Sequence, residues 1–273
     1  MKFSEKILVK LIALIKGLLL KRNIFLSRTT HEDSLIDFFK RIRPLKTNFE
    51  LFRMGSNLDG GYLLPNDLGG IDGCFSPGVS TTSDFELEMA EKGVKCYMAD
   101  YSVQGPPIQH ELFYFERKFL GSENNTKFIT LEEWVNRNAR MSSDMILQMD
   151  IEGAEYEVIV NTPVEILKQF RIIIIEFHDL EQLLNKLGFT LIDQTFRKLL
   201  SLFEIVHIHP NNIMKDKMVV YKNFEIPSVL EITFLRKDRI NQQRPITEFP
   251  HPLDKLNSLG FEDYILPKTW YQH

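Results

Sequence analysis

Cysteine is scarce in this chain. Only Cys74 and Cys96 occur among 273 residues, which is too few for a disulfide framework, and their spacing does not suit a metal site. Both lie in short apolar stretches that we predict to be neighbouring strands. We therefore expect two reduced thiols in the protein core.

The chain also has no surplus of positive charge. It carries 33 lysines and arginines against 37 aspartates and glutamates, for a net charge of −4. Proteins that bind a phosphate backbone are usually basic, so this balance disfavours general nucleic-acid binding. The apolar fraction of 44 % and the charged fraction of 26 % are those of an average globular protein, which excludes a disordered or repetitive chain.

No apolar run is long enough to cross a membrane, although the N-terminal segment 1–28 is unusual. Apolar residues recur there at helical spacing, and the first 25 residues contain six basic side chains but only one acidic side chain. This pattern predicts a basic amphipathic helix. Lysines interrupt it too often for a membrane span of about 20 residues, and no signal-peptide cleavage site follows. We therefore expect a cytoplasmic protein.

Three interpretations of this helix stay open. In the first, residues 2–22 lie on an anionic membrane surface, which would place the protein peripherally on the cytoplasmic membrane face. In the second, the helix docks on its own domain. In the third, it packs on a second subunit of a homo-oligomer.

Short β-rich runs alternate with helical stretches from about Thr30 onward, which is typical of an α/β domain around a mostly parallel sheet. We assign this domain to 29–273, with an N-terminal extension over 29–70 and a proline-rich tail over 245–273 that wraps the surface. The clearest strand is 171–177, an unbroken β-branched run. We also predict strands ending near 75 and over 94–99, 145–149, 204–209 and 229–235, and helices over 85–92, 154–160, 179–188 and 193–203.

Polar side chains follow the ends of these strands. In an open α/β sheet, ligands bind at the carboxyl ends of the strands, because loops and helix N-termini present free donors there. Each side chain alone is equally consistent with a helix cap or a satisfied core group, but together they predict a site. The members of this group are Ser76, Ser80, Asp100, Asp150, Glu152, His178, His209, Asn211 and Asn212.

Asp100 is the most specific member of this group. A carboxylate that closes the second strand, about 20 residues after the first turn, can accept hydrogen bonds from both hydroxyls of an adenosine ribose. The turn 76–80 could offer backbone N–H groups to the anionic end of the same ligand. It contains no Gly-x-Gly-x-x-Gly, and the P-loop-like spacing from Gly73 to Gly78 lacks the lysine, so NAD and ATP are disfavoured.

Several segments between about 73 and 178 form a recognisable set. The most specific is the Asp-x-Glu-Gly-x-Glu sequence that begins at Asp150. The others are Cys74-Phe75-Ser76-Pro77-Gly78-Val79-Ser80, Tyr97-Met98-Ala99-Asp100, Thr130-Leu131-Glu132-Glu133 and Ile173-Ile174-Ile175-Glu176-Phe177-His178. In these segments the chain resembles the FkbM-type family of class I S-adenosylmethionine-dependent methyltransferases.

The resemblance implies a Rossmann-like, seven-stranded, mostly parallel sheet with helices on both faces. It also implies S-adenosylmethionine as methyl donor and a hydroxyl acceptor on a sugar, a glycan or a natural product. Pro77 stands where the family commonly has a glycine and stiffens the turn. By this resemblance the cofactor loop contains Ser76, Pro77, Gly78 and Ser80, Asp100 binds the ribose, and Asp150 and Glu152 form the motif after the fourth strand.

Two further residues are candidates for the cofactor site. Gly61 belongs to the segment Asp59-Gly60-Gly61, which is either a hairpin turn or a lid over the cofactor. Tyr101 follows the proposed ribose ligand directly, and it could equally line a carbohydrate pocket.

Methyl transfer to an alcohol also requires that the hydroxyl proton be removed. One hypothesis makes His178 the base, with Asp150 and Glu152 beside it. The other makes Asp150, His178 and His209 the ligands of a divalent metal ion that lowers the pKa of the hydroxyl. Carboxylate and imidazole ligands suit Mg, Mn and Zn alike, so the residues do not choose among these metals.

Two other classes of function compete with this one. An acidic pair after a strand, as at Asp150 and Glu152, also holds the metal of glycosyltransferases that use a nucleotide sugar. The N-terminal helix alone would suit a non-catalytic membrane adaptor.

Overall fold

The structure of the protein, a computed structural model, describes residues 3–24, 26–79, 82–140, 143–213 and 218–272. The α-helices within these ranges are α1 (Phe3–Leu20), α2 (Glu32–Arg41), α3 (Asp84–Glu91), α4 (Leu131–Asn138), α5 (Glu155–Asn161), α6 (Val164–Leu167) and α7 (Lys186–Leu202). The strands are β1 (Leu45–Thr47), β2 (Leu51–Gly55), β3 (Gly61–Pro65), β4 (Ile71–Pro77), β5 (Lys95–Ala99), β6 (Phe113–Glu116), β7 (Phe119–Gly121), β8 (Phe128–Thr130), β9 (Asp144–Met149), β10 (Phe170–Phe177), β11 (Phe203–Pro210), β12 (Val219–Tyr221), β13 (Phe224–Ile226), β14 (Leu230–Arg236) and β15 (Gln243–Pro245).

The central sheet confirms the predicted seven-stranded α/β fold. Its strand order is β11-β14-β10-β9-β4-β5-β6. Pairing is parallel from β10 to β6, and β14 runs antiparallel to both of its neighbours. The carboxyl ends of β4, β5, β9 and β10 therefore meet at one edge, where ligands bind in sheets of this kind.

Apolar cores cover both faces of the sheet. One core contains Phe38 of α2, Trp134 of α4, Tyr156 of α5 and Phe196 of α7. The other is formed by α3 together with the β2–β3 hairpin, through Met54, Tyr62 and Met89 among others. Because β10 lies between these two layers, every residue from Phe170 to Phe177 is buried, which accounts for its unbroken apolar run.

The structure differs from the predicted elements at several points, and three of them concern the residues discussed below. Strand β4 continues beyond Phe75 to Pro77, so Ser76 belongs to the strand. The two helices predicted over 179–188 and 193–203 are a 3₁₀ turn at Leu180–Leu184 and the single helix α7. Strand β6, at the sheet edge, is missing from the predicted set, because its four residues alternate little and follow a polar loop.

The two cysteines lie side by side, as expected. Cys74 and Cys96 are paired in register on β4 and β5, and both are buried and free. Each thiol is therefore part of the core.

The N-terminal segment forms the predicted helix, α1. The domain does not cover Val9, Leu11, Leu14 and Leu18 of this helix, which are all exposed. No helix in the described ranges is both long and apolar enough to cross a membrane.

The C-terminal tail lies along the domain and is anchored in it. Trp270 is fully buried in the same core as α2, and its indole N–H donates to the carbonyl of Glu225 at 3.0 Å. Further upstream, the tail passes the carboxyl end of β11 and the amino end of β14. There Asn257 contacts Glu231, at the start of β14, and Asp254 contacts His207 of β11.

A buried arginine ties the opposite, amino-terminal edge of the sheet together. Arg171 in β10 donates to the Asp144 carboxylate at 2.6 and 3.0 Å and to the backbone carbonyls of Asp67 and Gly69 at 2.9 and 2.7 Å. It also lies 3.4 Å from the Asp67 carboxylate. Its side chain is 5 % exposed, so water cannot replace these partners when the guanidinium is removed.

We expect Arg171→Met to lower the free energy of unfolding by about 3 kcal/mol, because it leaves two carbonyls and two carboxylates short of a donor. The measurement is urea denaturation followed by circular dichroism. Arg137→Met is the matched control, since Arg137 is half exposed and pairs only at the surface, and its midpoint should stay close to that of the wild type. Equal midpoints for both variants would contradict this role of Arg171.

Candidate active site

The turn after β4 and the end of β9 touch at the carboxyl edge of the sheet. The N–H of Gly78 donates to the carbonyl of Ala99 at 3.0 Å, and the N–H of Asp150 lies 3.4 Å from the carbonyl of Pro77. Gly78 has φ +88°, and a Cβ added there would overlap the carbonyl oxygen of Asp150. Only glycine therefore fits, for both conformational and steric reasons.

Asp100 lies one residue beyond β5 and is buried. Its Oδ1 accepts hydrogen bonds from the backbone N–H and the hydroxyl of Ser102, at 2.8 and 2.7 Å. These contacts hold the carboxylate at the wall of a cavity of about 310 Å³. The cavity has a polar end, at Asp100 and Ser102, and an apolar part formed by Phe119, Leu120, Phe128 and Ile151.

A second cavity, of about 140 Å³, adjoins the first. Gly78, Asp150 and Glu152 line both cavities. The turn after β4 and the segment after β9 therefore form the boundary between the two cavities. The other lining residues of the second cavity come from the β2–β3 hairpin, from α3 and its preceding loop, and from β9, and they include Asp59, Gly60, Tyr62, Asp84, Phe85, Glu86 and Gln148. No lysine or arginine of the described residues lines either cavity.

Not every residue predicted for the cofactor site lines a cavity. Ser76 is fully buried and lies in a chain of polar contacts with Glu86 and with Gln148, whose Oε1 is 2.7 Å away. Gln148 in turn donates to the Tyr62 hydroxyl at 3.1 Å. Pro77 is also buried, and only its carbonyl takes part in the contact between β4 and β9. Ser80 lies outside the described residues.

Gly61 and Tyr101 lie behind the cavity walls. A Cβ at Gly61 would overlap the carbonyl oxygen of Ser56 and the Arg53 guanidinium, so Gly61 keeps the hairpin tight while Gly60 lines the second cavity. The Tyr101 ring packs against Phe119 with centroids 5.3 Å apart, and so supports the apolar wall of the first cavity.

His178 is the best-oriented ionisable side chain at this edge. Its Nδ1 is 3.0 Å from Oε1 of Glu155, a fully buried carboxylate that also accepts the N–H groups of Ile151 and Gly153. The other ring nitrogen, Nε2, faces Glu152, Glu176 and Asp150 at 3.6, 3.8 and 3.9 Å. One nitrogen is therefore held by a fixed carboxylate, and the other faces a group of carboxylates of which Asp150 and Glu152 line both cavities.

The electrostatics of this group depend on burial and on like charges. Burial raises the pKa of Asp150 to about 7, against the attraction of His178. Burial and the neighbouring Asp150 raise the pKa of Glu176 well above its ordinary value. Burial alone would lower the pKa of His178, but Glu155, with the charges of Asp150 and Glu152, raises it. Groups that titrate near neutral pH are suited to move protons.

Glu152 differs from the other carboxylates of the site because it is solvent-exposed. Its backbone is left-handed, with φ +56°, and glycine follows it. For a residue other than glycine, this backbone conformation costs about 1–2 kcal/mol of conformational energy. Such cost is typical of positions where a loop must present a group in a defined direction.

Asn211 and Asn212 have different surroundings. The side-chain amide of Asn211 donates to Oε1 of Glu176 at 3.0 Å, so it supports the site directly. That of Asn212 donates to the backbone carbonyl of Ser258 at 2.8 Å and thus holds the tail.

The predicted metal group of Asp150, His178 and His209 is not brought together. The ligand atoms of Asp150 and His178 cluster with those of Glu176, whereas His209 clusters with His207 and Asp254. The reason is topological: β14 is inserted between β10 and β11, which separates their ends by roughly 10 Å.

Several residues of the site were not among those predicted. Glu155 is the last residue of the Asp-x-Glu-Gly-x-Glu sequence, and its spacing could have indicated it. Glu176 is a carboxylate within an otherwise apolar strand, which is a detectable signal of a buried functional group. Asp59, Glu231 and Asn257 meet only through the tertiary fold, where the Asn257 amide donates to Glu231 at 2.6 Å and to Asp59 at 3.3 Å.

Comparison with known proteins gives one family match. Residues 84–204 match the model described as Methyltransferase FkbM domain, and this region contains Asp100, Asp150, Glu155 and His178. No curated protein gives a significant match. The seven-stranded sheet is that of a class I methyltransferase, with its antiparallel strand in the second position from one edge. Over residues 84–204 the chain is therefore similar to the methyltransferase domains of the FkbM family.

Proposed function

We propose that the protein is an S-adenosylmethionine-dependent O-methyltransferase whose acceptor is a hydroxyl of a sugar or glycan. The observation that carries this proposal is the pair of adjoining, acid-lined cavities that share Gly78, Asp150 and Glu152. When bound, S-adenosylmethionine supplies an electrophilic methyl group on a sulfonium ion. A cationic donor suits a site lined by carboxylates.

The first cavity fits the adenosine part of this donor. Its polar end holds the Asp100 carboxylate, whose position directly after β5 suits the two ribose hydroxyls. Its apolar part offers two phenylalanine rings to a base. The tight turn at Gly78 lies between this cavity and the second one and lines both of them.

The second cavity fits a neutral acceptor with several hydroxyl groups. Carboxylates and side-chain amides accept and donate hydrogen bonds in the pattern that a polyol offers. Its lining includes Asp59, Asp84, Glu86, Asp150 and Glu152, which would repel an anionic acceptor.

In the mechanism, His178 accepts the proton of the acceptor hydroxyl at Nε2 as the oxygen bonds to the methyl carbon. Glu155 keeps the ring oriented and stabilises the imidazolium that forms. The products are a methyl ether and S-adenosylhomocysteine, and the proton resides on His178 until it leaves to solvent.

The residues around His178 also fit a divalent metal ion. Ligand atoms of Asp150, Glu176 and His178 lie within 4.8 Å of one another, and Oδ1 of Asp150 and Oε2 of Glu176 lack a hydrogen-bond partner in the described chain. These three side chains, and not His209, would hold a Mg, Mn or Zn ion. A bound ion would lower the pKa of the acceptor hydroxyl, and His178 would then be a ligand and not the base.

Asp100→Asn tests the donor site. We expect the affinity for S-adenosylhomocysteine to fall about 10- to 100-fold, because the variant loses charge-assisted hydrogen bonds worth about 1.5–3 kcal/mol. The measurement is isothermal titration calorimetry. Asp72→Asn is the control, since Asp72 is exposed at the other end of β4, and its affinity should equal that of the wild type. Equal affinities of the two variants for S-adenosylhomocysteine would show that Asp100 does not bind the donor.

His178→Gln tests the base. We expect kcat to fall about 10²- to 10⁴-fold while S-adenosylhomocysteine affinity is retained. The wild-type profile of kcat/KM should fall on the acidic side with a midpoint above 6.5, because His178 must be neutral and its pKa is raised. Glu155→Gln should move this midpoint to lower pH, since the charge that raises the pKa is removed.

Chelation separates the base from the metal ligand. If His178 is the general base, the wild type should keep its activity after treatment with EDTA. Loss of activity that added Mg or Mn restores would assign the His178 ring to the ion. Full activity both after chelation and in His178→Gln would contradict either role.

We also propose that α1 places the enzyme on an anionic membrane surface. Its exposed apolar side chains lack a partner on the domain, and no acidic residue occurs from Lys6 to His31, where Lys10, Lys16 and Lys21 supply positive charge. An apolar face flanked by lysines matches an anionic lipid surface better than a second copy of the same basic helix.

Vesicle co-sedimentation tests this location. We expect the wild type to bind phosphatidylserine-containing vesicles and to bind pure phosphatidylcholine weakly. Replacing Lys10, Lys16 and Lys21 by Gln should weaken binding about 100-fold, at about 1 kcal/mol per lysine. The control replaces the exposed Lys92, Lys168 and Lys186 by Gln and should bind normally. Binding that ignores lipid charge, with a dimer in solution, would contradict the proposal.

A further inference from the structure

A second group of metal-type ligands lies on β11, away from His178. His207 and His209 are two residues apart on one strand and therefore point to the same face. Their rings are nearly parallel, at 13°, with centroids 6.5 Å apart. Asp254, from the C-terminal tail, faces both rings.

These three side chains are buried to an unusual degree for their chemistry. The exposed fractions of the His207, His209 and Asp254 side chains are 4, 9 and 8 %. None of the four ring nitrogens makes a hydrogen bond of normal geometry with a described residue, although the carboxylate is close. Buried polar atoms are nearly always satisfied, so this group calls for a partner that hydrogen bonding among the described residues does not supply.

The distances suit a metal ion as that partner. Oδ1 of Asp254 lies 2.9 Å from Nε2 of His207 and 3.7 Å from Nδ1 of His209. Ligand atoms on a tetrahedral zinc ion, at about 2.0–2.2 Å from the metal, are about 3.3 Å from one another. The observed distances lie on either side of this value, and all three ligand atoms lie within 4.8 Å of one another.

We propose that His207, His209 and Asp254 bind a zinc ion that fixes the C-terminal tail to the edge strand β11. Two imidazoles and one carboxylate form a common zinc ligand set, and a water molecule or a nearby imidazole completes it. His251 is the nearest further imidazole, with its ring centroid 5.9 Å from that of His207. Its Nδ1 accepts the N–H of Leu253 at 3.2 Å, which leaves Nε2 for a ligand.

Fixing the tail has a consequence for the neighbouring active site. Three residues after Asp254, the tail presents Asn257, which donates to Glu231 and to Asp59, and Asp59 lines the second cavity. His209 itself is paired in register with Glu231 across β11 and β14. The zinc ion would therefore hold one wall of the acceptor side in place without contacting the reacting atoms.

The experiment uses the full-length protein freed of metal by chelation and then titrated with zinc. We expect one zinc ion per chain by mass spectrometry, a higher melting temperature, and slower proteolysis within 245–272. Cobalt in place of zinc should give the visible absorption of a tetrahedral site. Asp254→Asn should lose all of these effects.

The control distinguishes this site from the group at His178. Asp150→Asn should keep the tail-linked zinc, its effect on melting temperature and the cobalt absorption, since Asp150 belongs to the other group. Should Asp254→Asn misfold, His209→Gln provides the same test from the strand side. Zinc that leaves melting and proteolysis unchanged, or that binds Asp254→Asn as it does the wild type, would overturn the proposal and leave an imidazolium–carboxylate pair.

Discussion

The site depends on one close approach between two backbone segments. The turn after β4 passes so near to the end of β9 that Gly78 leaves no room for a Cβ against the carbonyl of Asp150. This approach fixes the boundary between the two cavities and places the residues after β9 on both of them. A side chain at position 78 would push the segments apart and separate the place of the donor from the ionisable groups.

The carboxylates at this edge are costly to the fold. Asp150, Glu155, Glu176 and Glu231 are all largely buried, and the pKa values of Asp150, Glu176 and Glu231 are raised by burial. A buried carboxylate that lacks full compensation destabilises a protein, so a core optimised for stability alone would not contain such a group. The opposite edge has the same residue types in a stabilising arrangement, because Arg171 and Arg239 pair there with Asp67. The acidic residues at the amino-terminal edge of the sheet therefore stabilise the fold, whereas those at the carboxyl edge destabilise it and form the candidate site.

Much of the fold was predictable from the sequence, because a parallel strand covered on both faces leaves a strong apolar run. The clearest case is β10, and the strand-end rule then located Asp100, Asp150 and His178. The helix cap at Thr130 was also predictable, and its hydroxyl accepts the N–H of Glu133 at 3.2 Å. Local patterns of this kind need no knowledge of distant partners.

What the sequence did not predict depends on the order of strands and on distant contacts. His209 follows a strand as His178 does, but the insertion of β14 places it in another cluster. Ser76 lies at the expected position along the chain, yet the strand continues through it and buries its hydroxyl beside Glu86. The contacts of Asn257 and Asp254 arise from a tail that carries no periodic signal.

The most direct test is a crystal structure of the protein with S-adenosylhomocysteine. The account predicts the ribose hydroxyls on the Asp100 carboxylate, the adenine ring between Phe119 and Ile151, and the sulfur at Gly78, directed towards Nε2 of His178. A complex with the ligand in another part of the molecule, or with the sulfur remote from His178, would contradict it.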